Sequence, residues 1–219
     1  MIKNKNIVIT GANSGIGYET LKLLARENNV LAVDKDISNL ENFPEKVKAF
    51  KMDVGTKEGV DSVFSEAEKL FGTIDIFYAN AGFPYYEPYD YCDWDRIKNI
   101  FDTNVFSPFY SLSKYKVHLD GKKGVFAITI SAIGQMAMPG YALYSASKFA
   151  VEGFQQAVRL ELDKNIQLTC LYPVATDTNF FKTANPVEFE KPFPVQKPAH
   201  VAKAMVKGLP RPGGVPFRQ

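Results

Sequence analysis

The chain has 219 residues, 46% of them hydrophobic and 23% charged, with a formal net charge of +2, which supplies one domain-sized core over residues 1–219 and no basic field to hold nucleic acid. Two cysteines, Cys92 and Cys170, make no disulfide framework, and His118 and His200 have no partners at metal-ligand spacing, so no metal is expected. No apolar run is long enough for a signal peptide or a membrane span, which points to a cytoplasmic protein with no membrane partner.

Asn6 to Thr10 predicts a first strand. It runs into Thr10-Gly11-Ala12-Asn13-Ser14-Gly15-Ile16-Gly17 and a helix from Gly15 to Asn28. Glycines there allow a tight turn, close approach of a phosphate and helix amides aimed at negative charge; a flexible turn explains the same glycines equally well. The second strand, Val30 to Val33, ends at Asp34, seventeen positions beyond Gly17. An acidic residue near ~20-residue spacing meets adenosine ribose hydroxyls and repels a 2′-phosphate, favouring NAD(H) over NADP(H). Lys35 partly offsets that charge, and Asp34 is otherwise an ordinary turn residue.

A third strand over Val47 to Met52 precedes a helix over Lys57 to Phe71 and a fourth strand over Ile74 to Ala79. Phe83 to Tyr91, rich in rings and proline, reads as a shaped loop. A long helix spans Trp94 to His118, a fifth strand Gly124 to Ile130, a helix Tyr141 to Leu162 and a sixth strand Gln167 to Tyr172. These strands are apolar without alternation, as in a mostly parallel sheet with helices on both faces. Asn179 to Lys197, with four phenylalanines and no period, is a candidate substrate loop, and the proline-rich tail from Pro210 to Gln219 is irregular.

Within the last long helix lie Tyr144 and Lys148, four apart and so on one face, where a Lys ammonium can favour a tyrosinate. Bringing a phenol from pKa ~10 to ~7 takes about 4 kcal/mol, which a Lys together with a positively charged nicotinamide ring can supply, and the acid–base chemistry of a substrate oxygen would follow. Such a pair is more often an ordinary surface pair. Ser131, at the end of the fifth strand, lies where ligands sit in open α/β sheets and changes those odds. Tyr141, one turn earlier, competes for the acid–base role, but spacing to Lys148 favours Tyr144.

On these motifs, in this order, residues 5 to 208 resemble the short-chain dehydrogenase/reductase family. The resemblance implies a doubly wound, Rossmann-type three-layer α/β/α sandwich of about six strands, the family's seventh strand being absent. It implies that Gly11, Asn13, Ser14, Gly15, Ile16 and Gly17 line the pyrophosphate, that Asp34 binds the ribose, and that Asp53 and Val54 contact the adenine. Asn80, Ala81 and Gly82 would support the sheet beside the cofactor. It assigns a proton relay to Asn104, substrate polarisation to Ser131, acid–base chemistry to Tyr144, and ribose binding with pKa lowering to Lys148. Thr178 keeps the family's five-residue offset from Pro173 and is carried over with Thr176, although Val174 stands where the family has glycine. Pro108, four residues after Asn104, removes the N–H that would bond the Asn104 carbonyl, so either a kink lets that main chain hold a relay water or the kink is merely tolerated.

The implied activity is hydride transfer between NAD(H), or alternatively NADP(H), and a secondary alcohol or ketone; a catalytically silent nucleotide sensor is the competing reading. Phe83 to Tyr91, Ile133 to Met138 and the 179–197 segment suggest an apolar small-molecule substrate, or loops packed only on themselves. The two long helices suggest a homodimer, with a tetramer as the larger alternative; their apolar positions are equally consistent with core.

Overall fold

The computed structural model describes residues 2–91, 93–178 and 195–209. Six strands form, β1 (Asn6–Thr10), β2 (Asn29–Asp34), β3 (Val47–Lys51), β4 (Ile76–Ala79), β5 (Gly124–Thr129) and β6 (Ile166–Leu171). They make one sheet in the order β3-β2-β1-β4-β5-β6, and each neighbouring pair is parallel. The helices are α1 (Gly15–Leu24), α2 (Lys57–Phe71), α3 (Trp94–Phe101), α4 (Ser107–Leu119), α5 (Ala142–Glu161) and α6 (Pro198–Gly208).

Successive side chains of a strand point to opposite faces, and both faces are covered. Ile7 and Ile9 pack with Leu21 and Leu24 of α1 and Met205 of α6. Val8, between them, belongs to the other layer with Val63 of α2, Leu112 and Tyr115 of α4 and Val151 of α5. Two-sided burial is why the strands read as apolar runs. In the second layer Phe77 stacks on both Phe64 and Phe126, at centroid distances of 5.1 and 5.4 Å. The strand order reverses between β1 and β4, which opens a crevice at their carboxyl ends.

Most strand and helix ends shift by a residue or so, and the larger departures have local reasons. Helix α1 stops at Leu24 because the buried Asn28 amide donates to the Leu24 and Ile2 carbonyls, at 2.9 and 3.1 Å, ending the helix with a side chain. β4 begins at Ile76, not Ile74; the Ile74 N–H donates to His118 Nε2 at 2.9 Å. The helix expected over Trp94 to His118 is broken into α3 and α4 by a π-helical turn, Asp102–Phe106, in which Ser107 N donates to the Asp102 carbonyl. Pro108, at the start of α4 and without an N–H, accounts for the break. Helix α6 was not expected at all, though Pro198 at its first turn and Val201 and Met205 on one face mark it. Residues 179–194 of the candidate substrate loop, Cys92 and the tail 210–219 lie outside the described residues.

Candidate active site

A cavity of about 800 Å³ lies at the carboxyl ends of the strands, walled by the glycine turn after β1, the segment after β4, the start of α5 and residues 173–178. At its first end Gly11 and Gly15 take left-handed conformations, φ 66° and 56°. A Cβ on Gly11 would lie 2.9 Å from the Ala81 Cα, and one on Gly15 would lie 3.1 Å from the Thr178 Cγ2. Ser14 gives α1 no side-chain cap, and no acidic residue occupies its first turn, so the leading amides and the positive end of the helix dipole are left for an anion. Glycine cradle, open helix terminus and nearby Asp34 fit a diphosphate-bearing dinucleotide.

Gly17 corrects the sequence expectation, because it does not line the cavity. A Cβ there would lie 2.0 Å from the Gly11 carbonyl oxygen, so its role is to let α1 close against the turn. Asn80 ties that turn to the sheet. Its Nδ2 donates to the Thr10 and Gly11 carbonyls, both at 3.2 Å, and its Oδ1 accepts from Thr129 Oγ1 at 3.0 Å. The Ala81 N–H donates to Thr10 Oγ1 at 3.1 Å, and Ala81 and Gly82 continue the cavity wall.

Asp34 lines the cavity, and its carboxylate accepts from the Asn13 and Asp36 amides at 3.0 and 3.2 Å. Sequence reasoning missed the rest of this network. Asn13 Nδ2 donates to Asp36 Oδ2 at 3.1 Å, and the Asn39 N–H donates to Asn13 Oδ1 at 2.8 Å. The Ser38 amide and hydroxyl hold the Asp36 carboxyl below the usual carboxylate range. Asp36-Ile37-Ser38 carries an Asx-turn signature; the closure onto Asn13 leaves no trace in the sequence. Asp53 and Val54 complete this end. Lys35 also lines the cavity, its Nζ 5.8 Å from the Phe83 ring centroid.

At the other end α5 presents Tyr144 and Lys148, both buried and both on the cavity wall. Lys148 Nζ lies 5.7 Å from the Tyr144 ring centroid and donates to the Thr129 carbonyl at 3.1 Å. The Ser131 hydroxyl hydrogen-bonds the Tyr144 phenol. It also accepts from the Ile133 amide at 3.2 Å, and Ser131 itself stands at φ 145°, ψ 155°, a region that only glycine fills readily. Lys148 alone does not lower the Tyr144 pKa; the expected lowering also drew on the positive charge of a nicotinamide ring. Burial raises the Tyr144 phenol above its ordinary value, the Ser131 hydrogen bond opposing, and burial lowers Lys148 to about 8. Desolvation penalises the charged form of each partner, and spacing along a helix carries no information about it.

Asn104 is the second departure. Its side chain is 2% exposed and does not line the cavity. Its Oδ1 accepts from the Phe83 amide at 3.0 Å, while Nδ2 donates to the Phe83 carbonyl at 2.9 Å and Ser147 Oγ at 3.1 Å. It therefore anchors the segment after β4, and the π-turn presents its neighbour Thr103 to the cavity instead. Pro173, Thr176 and Thr178 all reach the wall. The Pro173 carbonyl accepts from Ala132 N at 3.0 Å, and Thr176 bridges to Gln196, the near end of the expected substrate loop. Phe83, Tyr85, Ile133, Met136, Met138 and Tyr141 form an apolar wall beside Tyr144. Among the described residues no group of three or more His, Cys, Asp or Glu is placed to hold a metal, and no helix is long and apolar enough to cross a membrane.

Comparison with known proteins agrees with this geometry. The family model described as short chain dehydrogenase matches residues 5–188. An uncharacterized oxidoreductase of Listeria monocytogenes is 30% identical over 202 residues, covering 87% of this chain and 82% of that protein. One of Schizosaccharomyces pombe is 29% identical over 194 residues, covering 86% of this chain; the chain spans 65% of that relative's length. Among solved structures, the 3-ketoacyl-(acyl-carrier-protein) reductase of Brucella melitensis complexed with NADH matches with a TM-score of 0.83 at 25% identity, over 93% of this chain and 90% of that one.

Proposed function

The chain belongs to the short chain dehydrogenase family, and on that premise we propose that it is an NAD(H)-dependent oxidoreductase acting on a secondary alcohol or ketone. The observation that carries this reading is the convergence of Tyr144, Ser131 and Lys148 on one end of a cavity whose other end is a glycine cradle beside Asp34. The nicotinamide, when bound, supplies or accepts the hydride at C4. The chain supplies the proton. Burial keeps Tyr144 a neutral phenol, so it donates its proton to a ketone oxygen in the reductive direction. Ser131 orients that oxygen, and the Lys148 ammonium, protonated below about pH 8, steadies the negative charge left on the phenol.

Two carboxylates, Asp34 and Asp36, line the adenosine end, and Lys35 leans on Phe83, so this end disfavours a 2′-phosphate and supports NAD(H) over NADP(H). Helices α4 and α5 expose Val117, Phe149 and Leu160, which supports a homodimer that light scattering would test.

Fluorescence titration with NADH and NADPH, followed by turnover of a panel of ketones and secondary alcohols, tests the whole reading. NADH is expected to bind more tightly than NADPH. Tyr144→Phe should abolish turnover while retaining NADH binding, whereas Tyr141→Phe should keep most of the activity. Tight binding without turnover across the panel would favour the nucleotide sensor, and loss of turnover in Tyr141→Phe alone would overturn the assignment of Tyr144.

A further inference from the structure

We infer that Tyr85, set by Asn99, is a specificity-determining residue in the wall of the substrate cavity. The substrate it selects is a ketone or secondary alcohol with a second hydrogen-bond-accepting oxygen. The inference rests on the oxidoreductase reading for the chemistry at the reacting end.

Tyr85 and Asn99 both line the cavity, in the wall that also holds Phe83, Ile133, Met136, Met138 and Tyr141. A polar group in such a wall fixes orientation, because an apolar surface alone cannot. Tyr85 is held as a built element and not as a loop tip. Its ring meets Phe83 edge-on at 5.3 Å, and the Arg96 guanidinium lies 4.0 Å from its centroid. Arg96 is paired with Glu87, which is 6% exposed and whose amide donates to the Gly140 carbonyl at 2.8 Å. The loop is thereby clamped to α3 on one side and to the approach of α5 on the other.

Asn99 Nδ2 donates to the solvent-exposed Tyr85 hydroxyl oxygen at 3.0 Å, which leaves the phenol O–H to donate to water or, when one is bound, to a substrate oxygen. An oxygen inside the cavity would take that proton. The Arg96 cation is paired with Glu87, so the phenol and not the guanidinium is the donor that this part of the wall offers. A neutral phenol donor then discriminates by the presence or absence of one acceptor, a difference of about tenfold for a typical hydrogen bond.

The test uses the NADH-loaded protein and matched probes: diketones with two to five carbons between the carbonyls, each beside the monoketone lacking the second carbonyl. Two readouts are taken, kcat/KM and the dissociation constant by calorimetry. At least one diketone should be preferred about tenfold over its monoketone. Tyr85→Phe should erase that preference, the diketone losing about tenfold more than its monoketone in both readouts. Asn99→Asp should do the same with the ring intact, because a carboxylate at 99 would accept the phenol proton and withdraw it from the cavity. Equal handling of every matched pair by the wild type, or an equal loss on both members of a pair in the variants, would overturn the inference. Turnover that depends on Tyr144 but shows no such preference would leave the oxidoreductase reading standing alone. Preferential diketone binding, lost in Tyr85→Phe, without turnover would sustain the inference and refute the oxidoreductase reading.

Discussion

Replacing Lys148 with Met should stabilise the unliganded protein at neutral pH while destroying its activity. The Lys148 amine is buried, and burial lowers it from 10.5 to about 8. At pH 7 the group is protonated in both states, and carrying that charge inside the fold costs about 3 kcal/mol at ~1.36 kcal/mol per pKa unit. Loss of the hydrogen bond to the Thr129 carbonyl returns about 1 kcal/mol, so the variant should be more stable by about 2 kcal/mol at pH 7. Between pH 8 and 10.5 the unfolded wild type holds more protons than the folded one, so wild-type stability rises with pH relative to the variant. By pH 9.5 the remaining penalty is about 1.4 kcal/mol, and the two proteins should be nearly equal.

Urea unfolding of both proteins at a series of pH values between 6.5 and 9.5, followed by circular dichroism, measures this difference directly. Other titrating groups are common to the two proteins and cancel in the difference. A gap that stays constant across the series, or a wild type that is the more stable at pH 7, would refute the argument that desolvation dominates at Lys148.

What the sequence revealed and what it concealed divide along range. The strands were legible because both faces of the sheet are covered, which turns every strand into an apolar run bounded by turn residues. The glycine turn, Asp34 and the Tyr144–Lys148 pair were legible because each acts within a few residues of chain. Helix α6 was missed because it is 11 residues long and follows a stretch without period. The break between α3 and α4 was only half visible. Pro108 announced a kink, but that the kink takes the form of a π-turn which turns Asn104 inward and Thr103 outward depends on what packs around it. Distant contacts were invisible altogether: Asn104 to Phe83, Asn13 to Asp36 and Asn39, and Asn99 to Tyr85 each join elements that only the fold brings together. The burial that opposes Lys148 at Tyr144 was hidden for the same reason, because burial is a property of the packed molecule.

Two further outcomes bear on the two ends of the cavity. Asp36→Asn should narrow the preference for NADH over NADPH several-fold at low salt, and less at high salt, because an exposed carboxylate acts through a screened charge; an unchanged ratio at low salt would show that Asp34 alone discriminates. Ser131 allows backbone strain to be separated from chemistry. At φ 145°, ψ 155° a residue with a Cβ is strained by ~1–3 kcal/mol. Ser131→Ala and Ser131→Gly both delete the hydroxyl that accepts from Ile133 and bonds Tyr144, so both should lose ketone turnover alike. Only the glycine relieves the backbone, against a cost of ~0.4–1 kcal/mol for its freer unfolded chain. Ser131→Gly should therefore unfold at higher urea than Ser131→Ala, by about 1 kcal/mol. An alanine variant that is the more stable of the two would mean that the turn after β5 stores no strain, and that Ser131 is held in place by its hydrogen bonds alone.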